Sequence, residues 1–257
     1  SSAAIIASAR AAGVAVIDYD RLSTEGPGAD YYVSFDGEAV GRVQGRGLIR
    51  AVEEAGIKNP RIAILNGGAT DNNAHLFSRG AHQVLDPLLE SGEWTLVDEQ
   101  WVPDWDNQKA LVLMEQILTA AGGGVDAVLA ANDGIAAAVY SALANQGYPP
   151  LPVTGQDATV GGVQYVLAGR QSMTVYKEIR KEAEAAAKLA VALVRGEDTS
   201  ALTSAVVNNG TRDIPAVLLE PIAVTRDNVA ETVIADGFRT WDEICVGEFA
   251  AFCPESR

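Results

Sequence analysis

The sequence has little of what metal sites, nucleic-acid-binding surfaces and membrane spans require. Its 257 residues include only two histidines and two cysteines, and 19 basic residues stand against 34 acidic ones. The net charge of -15 repels phosphate backbones and anionic lipids, so nucleic acid and membrane surfaces are poor partners. No apolar run approaches the roughly 18 residues of a transmembrane helix, so no direct membrane span is predicted.

Sequence motifs of catalysis are missing as well. There is no glycine-rich nucleotide loop and no G-x-S-x-G motif, so no cofactor is expected. His75 and His82 have no evident acidic partner, which favours packing or solvated histidines over metal ligands. Carboxylates are numerous enough for a glycosidase pair, but no spacing identifies one. The sequence therefore predicts no catalytic residue and no metal site.

The two cysteines, Cys245 and Cys253, lie eight residues apart near the C-terminus. Their spacing allows a disulfide that closes a short loop, and such a bond would place the protein outside the cytoplasm. Two unpaired, partly buried thiols are the alternative. The spacing alone leaves both interpretations open.

Short apolar runs alternate with longer helical segments along the chain. The predicted strands are 14–17, 61–65, 94–97, 125–130, 151–154, 173–176 and 217–224, and the predicted helices include 38–55, 73–90, 108–121, 135–146 and 178–194. Parallel strands need such helices as crossovers. The pattern predicts an α/β fold with parallel sheets covered by helices.

Polar residues and glycines follow several of these strands. They are Asp18 to Arg21, Asn66 to Gly68, Asn132 with Asp133, and Gly155 to Asp157. Asp133 or Asp157 alone would equally well be a helix cap, but four such strand ends favour a ligand site at the carboxyl edge of a sheet. The polar segment from Trp101 to Trp105 adds tryptophans, whose faces suit a sugar ring. Asn208 to Gly210 is predicted to be a turn.

Seven segments occur in this order in one family of transport proteins. They are Tyr19-Asp20-Arg21, Ser34-Phe35-Asp36, Thr70 to Ala74, Gln100-Trp101-Val102, Asn132-Asp133, Gly155-Gln156-Asp157 and Met173 to Lys177. Through them the chain resembles the periplasmic D-xylose-binding proteins of bacterial ABC transporters and their glucose and galactose relatives. The resemblance implies a type I periplasmic binding protein fold with two Rossmann-like lobes. It also implies a monosaccharide bound between the lobes and delivered to the transmembrane subunits of an ABC permease, or sensed, in the periplasm or outside the cell.

The resemblance also carries over a set of ligand-binding residues. It implies that sugar hydroxyls bond to Arg21, Asn73, Asn132, Asp157 and Lys177, and that the ring stacks on Trp105. Amide, carboxylate and cationic groups together offer the donors and acceptors that vicinal hydroxyls require. Where the D-xylose-binding proteins carry a second arginine, this chain has Ser78. This difference bears on which sugar is bound. The resemblance itself implies xylose first, then glucose or galactose.

By the same resemblance, one lobe comprises residues 1–35 with 175–217, and the other 36–174 with 218–257. Arg21 and Lys177 then belong to the first lobe. This first lobe is expected to be incomplete, because the family begins with strands and helices that precede Ser1 here. A companion N-terminal segment is therefore expected beside Val14 to Ile17, and any membrane anchor would lie in that segment.

Two other classes of protein compete with this interpretation. The effector domain of a LacI-type transcription regulator shares the fold and the pocket, although a charge of -15 suits DNA poorly. A disulfide between the two cysteines would favour the exported receptor. A sugar-processing enzyme is the other alternative, and it would convert its ligand, whereas a receptor returns it unchanged.

Overall fold

The computed structural model describes residues 2–122 and 124–255. These form two compact units. Unit 1 contains the chain up to Asp36 together with Glu178–Glu220, and unit 2 contains Gly37–Lys177 and the chain from Pro221 onward. The predicted lobe boundaries lie one to three residues before these, so Lys177 falls in unit 2 rather than with the first lobe. The reason is that the strand before Lys177 pairs with residues 222–224, which also belong to unit 2.

The helices and strands alternate through most of the chain. The helices are α1 Ser2–Ala11, α2 Gly37–Glu54, α3 Asn72–Glu90, α4 Asn107–Ala120, α5 Asp133–Asn145, α6 Val160–Leu167, α7 Ile179–Arg195 and α8 Trp241–Ile244. The strands are β1 Ile17–Tyr19, β2 Tyr31–Phe35, β3 Arg61–Asn66, β4 Thr95–Trp101, β5 Ala127–Ala130, β6 Thr174–Tyr176, β7 Ala205–Asn208, β8 Asp213–Leu219 and β9 Ile222–Val224. Within the described residues, no helix is both long enough and apolar enough to cross a membrane.

Unit 1 is built on a four-stranded sheet in the order β1-β2-β8-β7. The first three strands are parallel, and β7 and β8 form an antiparallel hairpin. The predicted turn at Asn208 to Gly210 connects this hairpin, where Gly210 has a φ of +90°. Helix α7 covers one face of the sheet by packing Leu189 against Val33 and Val217.

In unit 1 the structure corrects the strand that was predicted at Val14 to Ile17. The strand runs from Ile17 to Tyr19 instead, and Val14 is 56% exposed. Val16 N donates to the Asp30 carboxylate, and Val16 O accepts from both Asp30 N and Tyr31 N. The Val16 N–H is therefore bonded to a side chain, and residue pairing with β2 begins at Ile17. Ser1 lies outside the described residues.

Unit 2 contains one layer of strands with helices on both faces. Parallel strands β4-β3-β5 form one part, and antiparallel β6-β9 the other. The segment predicted as a strand at Leu151 to Thr154 forms only a single parallel bridge, between Val153 and Val128. Backbone hydrogen bonds around this bridge nevertheless connect the two parts of the layer. On one side Thr154 N donates to Val128 O, and on the other Ser172 N donates to Val153 O.

Helices α2 and α3 cross closely on one face of this layer. A Cβ atom at Gly41 would overlap the carbonyl of Phe77, and one at Gly80 would overlap the carbonyl of Glu38. The two backbones can approach this far only because both positions are glycine. The contact fixes α3, which carries Asn73, against α2. Helices α4 and α5 cover the opposite face through a core that includes Met114.

The C-terminal part of unit 2 is held by a disulfide. Cys245 and Cys253 are bonded, with their Cα atoms 6.1 Å apart. The loop that the bond closes places Phe249 against Tyr165 of α6, with ring centroids 5.9 Å apart. Gln164 of the same helix donates to Ile244 O at 2.9 Å. The tail is therefore attached to α6 by covalent, aromatic and hydrogen-bonding contacts.

Candidate functional site

Five of the six predicted ligand-binding residues lie at one edge of the strand layer in unit 2. Strands β3, β4 and β5 are parallel, so their carboxyl ends meet at the same edge. The residues that follow these strands, or follow the neighbouring bridge and β6, are Asn73, Trp105, Asn132, Asp157 and Lys177. This edge is the candidate site.

Asp157 and Lys177 form the charged pair of this site. Lys177 Nζ lies 3.5 Å from Asp157 Oδ1 and 5.7 Å from the centre of the Phe77 ring. Asp157 has a φ of +93°, which a residue other than glycine seldom adopts, and its N–H donates to Val175 O. Its side chain keeps 39% of its surface exposed. The carboxylate is thus held in a strained loop and is open to a ligand.

Trp105 and Asn73 are joined by one carboxylate, that of Asp71. Asp71 Oδ1 accepts from Asn73 N at 3.0 Å and so caps α3, while Oδ2 accepts from Trp105 Nε1 at 3.2 Å. Trp105 also contacts Phe77 edge-on, with ring centroids 6.4 Å apart. Phe77 also faces Lys177. The structure therefore brings Asn73, Trp105, Asp157 and Lys177 together through two residues that the sequence did not single out.

Two glycines, Gly67 and Gly68, lie directly against the Trp105 ring. A Cβ atom at Gly67 would overlap the six-membered ring of the indole, whereas one at Gly68 would lie 3.2 Å from Trp105 Cδ1. Trp105 itself has a φ of +58°. The indole can lie over the end of β3 only because Gly67 has no side chain.

Asn132 and Arg21 are the other two predicted ligand-binding residues. Asn132 caps α5, because its Oδ1 accepts from Ile135 N at 2.9 Å. The sequence had left open that Asp133 is the cap; the cap is Asn132. Arg21 belongs to unit 1, where it follows β1 and is exposed. The roles of all six residues in ligand binding remain predictions.

A model of the periplasmic binding protein domain matches residues 1–198 of the chain. The chain belongs to this family. Two relatives are D-xylose-binding periplasmic proteins, from Haemophilus influenzae at 43% identity over 241 residues and from Escherichia coli at 39% over 241 residues. Each alignment covers 93% of this chain, and 70% and 71% of the relatives.

Solved structures of this family agree with the sequence relatives. A carbohydrate transporter solute-binding protein from Chloroflexus aurantiacus, in complex with D-glucose, superposes with a TM-score of 0.85 at 36% identity. That superposition covers 94% of this chain and 77% of the other. The predicted family and its α/β periplasmic binding protein fold are confirmed.

A groove that the sequence did not predict runs between the end of β4 and α4 in this periplasmic binding protein. Its volume is about 620 Å³, and its lining includes Gln100, Trp101, Lys109 and Val112. None of the six predicted ligand-binding residues lines it. Like the candidate site, it combines a tryptophan with polar side chains.

His82 has acidic partners, contrary to the expectation for the two histidines. Its Nδ1 lies 2.6 Å from Asp86 Oδ1, and its Nε2 lies 3.2 Å from both carboxylate oxygens of Glu99. Hydrogen bonding to Glu99, with a further contribution from Asp86, raises the pKa of His82 to about 9 despite burial. The bond to His82 in turn lowers the pKa of Glu99. His82 is therefore an imidazolium in a half-buried ion pair near neutral pH.

We expect the stability of the protein to fall as the pH rises through the pKa of His82. The folded state holds this proton more tightly than the unfolded chain does, so the stabilisation is complete below pH 6.5 and is lost towards pH 9. Its size is roughly 2–3 kcal/mol. Urea unfolding at pH 6 and pH 9.5 should show this loss in the parent and in His75→Gln, but not in His82→Gln. An equal loss in all three would contradict the assignment.

Proposed function

We propose that this protein binds a free monosaccharide outside the cytoplasm and serves an ABC transporter or a chemosensing system, with D-xylose the preferred sugar and glucose or galactose next. The observation that carries the proposal is the 43% and 39% identity to two D-xylose-binding periplasmic proteins over 93% of the chain. The permease subunits, and attachment to the membrane through sequence preceding this chain, belong to the same proposal.

The chemistry of the candidate site supports a neutral sugar as the ligand. Asp157 accepts hydrogen bonds from neighbouring hydroxyls, and Lys177 donates to hydroxyl or ring oxygens. Asn73 offers both functions, and Trp105 supplies an apolar face for the C–H groups of the ring. Because one carboxylate already faces one ammonium at 3.5 Å, the pair suits an uncharged ligand better than an anion.

The relatives support a binding protein rather than an enzyme. They are sugar-binding transport proteins, and in this proposal the ligand is released unchanged. The disulfide between Cys245 and Cys253 supports a place outside the cytoplasm, where such bonds persist. It also favours the exported receptor over a transcription regulator.

Calorimetry with a panel of monosaccharides tests the proposal. We expect D-xylose to bind most tightly, D-glucose or D-galactose more weakly, and glucose 6-phosphate not at all. After incubation, the NMR spectrum of the sugar should be unchanged apart from its anomeric equilibrium. Binding of none of these sugars, or a preference for the phosphorylated one, would contradict the proposal.

A further inference from the structure

Asp133, at the start of α5, is the most heavily bonded buried acid in the described part of unit 2. The residue is 4% exposed, and its carboxylate accepts four hydrogen bonds. Oδ2 accepts from Thr159 N at 2.8 Å and from Thr159 Oγ1 at 3.0 Å. Oδ1 accepts from Gln171 Nε2 and Thr174 Oγ1, each at 2.8 Å. One side chain thus connects α5, α6 and β6.

These bonds surround the loop that carries Asp157. Asp157 and Ala158 both have positive φ, at +93° and +45°. Three successive N–H groups of the loop are paired: Asp157 N with Val175 O, Ala158 N with Thr174 Oγ1 and Thr159 N with Asp133. The Thr174 hydroxyl in turn donates a hydrogen bond to Asp133, so two of these three bonds depend on the Asp133 carboxylate.

The surrounding sequence leaves room for this carboxylate. A Cβ atom at Gly155 would overlap Asp133 Oδ1, and one at Gly162 would overlap Oδ2. The Asp133 backbone also takes part, since its N–H donates to Gln156 O at 3.0 Å. Both ends of the loop therefore depend on Asp133.

We propose that Asp133 is a positioning residue for ligand binding, whose buried carboxylate holds Asp157 in its left-handed conformation beside Lys177. The inference rests on the proposed function, because it assumes that Asp157 and Lys177 contact the sugar. Without the carboxylate, residues 157 and 158 lose the bonds that offset their backbone strain. The loop would then relax, and Asp157 would leave the position in which it meets the ligand.

The position of Asp133 also separates affinity from stability. Burial raises the pKa of Asp133 to about 6, although the hydrogen bonds that its carboxylate accepts act in the opposite direction. Above that pH the burial of the ionised group therefore costs stability. Replacing it by the neutral, similarly shaped asparagine removes this cost but also removes acceptor capacity from the network. A purely structural residue would not weaken sugar binding by the folded fraction of the variant.

Two glutamines give a matched pair for the test. Gln171 donates to Asp133, whereas Gln164 donates to Ile244 O in the C-terminal part, and both are buried. The parent, Asp133→Asn, Gln171→Met and Gln164→Met are compared in two measurements. Calorimetry gives the affinity for D-xylose, and thermal unfolding without ligand at pH 8 gives the melting temperature. We expect at least tenfold weaker binding for Asp133→Asn, measured at a temperature at which the variant remains folded. Gln171→Met should bind three- to tenfold more weakly, and Gln164→Met should bind as the parent does.

The outcomes separate this inference from the proposed function. If the parent binds D-xylose and Asp133→Asn binds it equally well, the positioning role is wrong and the proposed function stands. If affinity and melting temperature fall together in all three variants, Asp133 is only structural. If the parent binds no monosaccharide, the proposed function fails and this inference fails with it.

Discussion

Asp157→Asn should reduce the affinity for D-xylose by at least about a hundredfold. The amide keeps the shape and tolerates the positive φ at this position, but it no longer offers two charged acceptors to the sugar hydroxyls. In the parent the Lys177 ammonium lies 3.5 Å from this carboxylate, and the substitution removes its counter-charge. Lost bonds to a charged group in a desolvated site are each worth roughly 1.5–3 kcal/mol, and two such losses give this factor. Titration calorimetry measures it.

Asp98→Asn is the control for this variant. Asp98 lies within β4 of the same unit, and its Oδ1 accepts from Glu99 N and Gln100 Nε2, away from the predicted ligand-binding residues. Its affinity for D-xylose should equal that of the parent. Neither variant should change the ligand-free melting temperature by more than a few degrees. If Asp157→Asn unfolds readily while its folded fraction binds sugar normally, Asp157 only shapes the loop and the site is misplaced.

Gly67→Ala should weaken D-xylose binding about as much as removing the Trp105 ring itself. The new methyl group would occupy the space of the indole and displace it from the end of β3. Trp105 would then lose its bond to Asp71 and its edge contact with Phe77. Losing an aromatic face from a sugar site removes most of its apolar contact, so we expect at least a tenfold loss for both Gly67→Ala and Trp105→Ala.

The neighbouring Gly68→Ala provides the matched comparison. Its methyl group would lie 3.2 Å from Trp105 Cδ1, a contact that a small shift relieves. Affinity for D-xylose should fall less than threefold. Quenching of Trp fluorescence by the sugar should persist in this variant and be lost in Gly67→Ala. Equal affinities for the parent, Gly67→Ala and Trp105→Ala would show that the Trp105 ring does not contact the ligand.

Helices α2, α3, α4 and α5 of unit 2 were predicted from sequence to within two residues, whereas α6 and α8 were not among the predicted helices. Each begins at a polar residue that the sequence displays, as at Asp71 before α3 and Asn132 before α5. The strands were harder. Strand β2 was missed because Ser34 interrupts its apolar run, yet this hydroxyl is buried by donating to Asp20 O at 3.1 Å. Such a bond between residues far apart in sequence leaves no local pattern.

The residues of the candidate site show the same contrast between local sequence patterns and contacts across the fold. Asp157 and Trp105 are residue types suited to binding sugars, and they follow strands in polar segments. The sequence therefore allowed them to be predicted as candidates. Asp71 and Phe77 were not, and Asp133 was noted only as a polar strand end or possible helix cap, because the importance of all three comes from contacts across the fold. Asp71 also looks like an ordinary helix cap in the sequence, and only the structure shows its second bond, to Trp105. Likewise, the ion pair of His82 with Glu99 joins a helix to a strand.

The most direct test of the account is a crystal structure of the protein with D-xylose at a concentration just above its dissociation constant. We predict electron density for a single pyranose ring stacked on Trp105, with hydroxyl groups within hydrogen-bonding distance of Asp157 and Lys177. Density for the sugar in the groove beside Trp101, or no sugar density while calorimetry shows binding of another class of ligand, would contradict it.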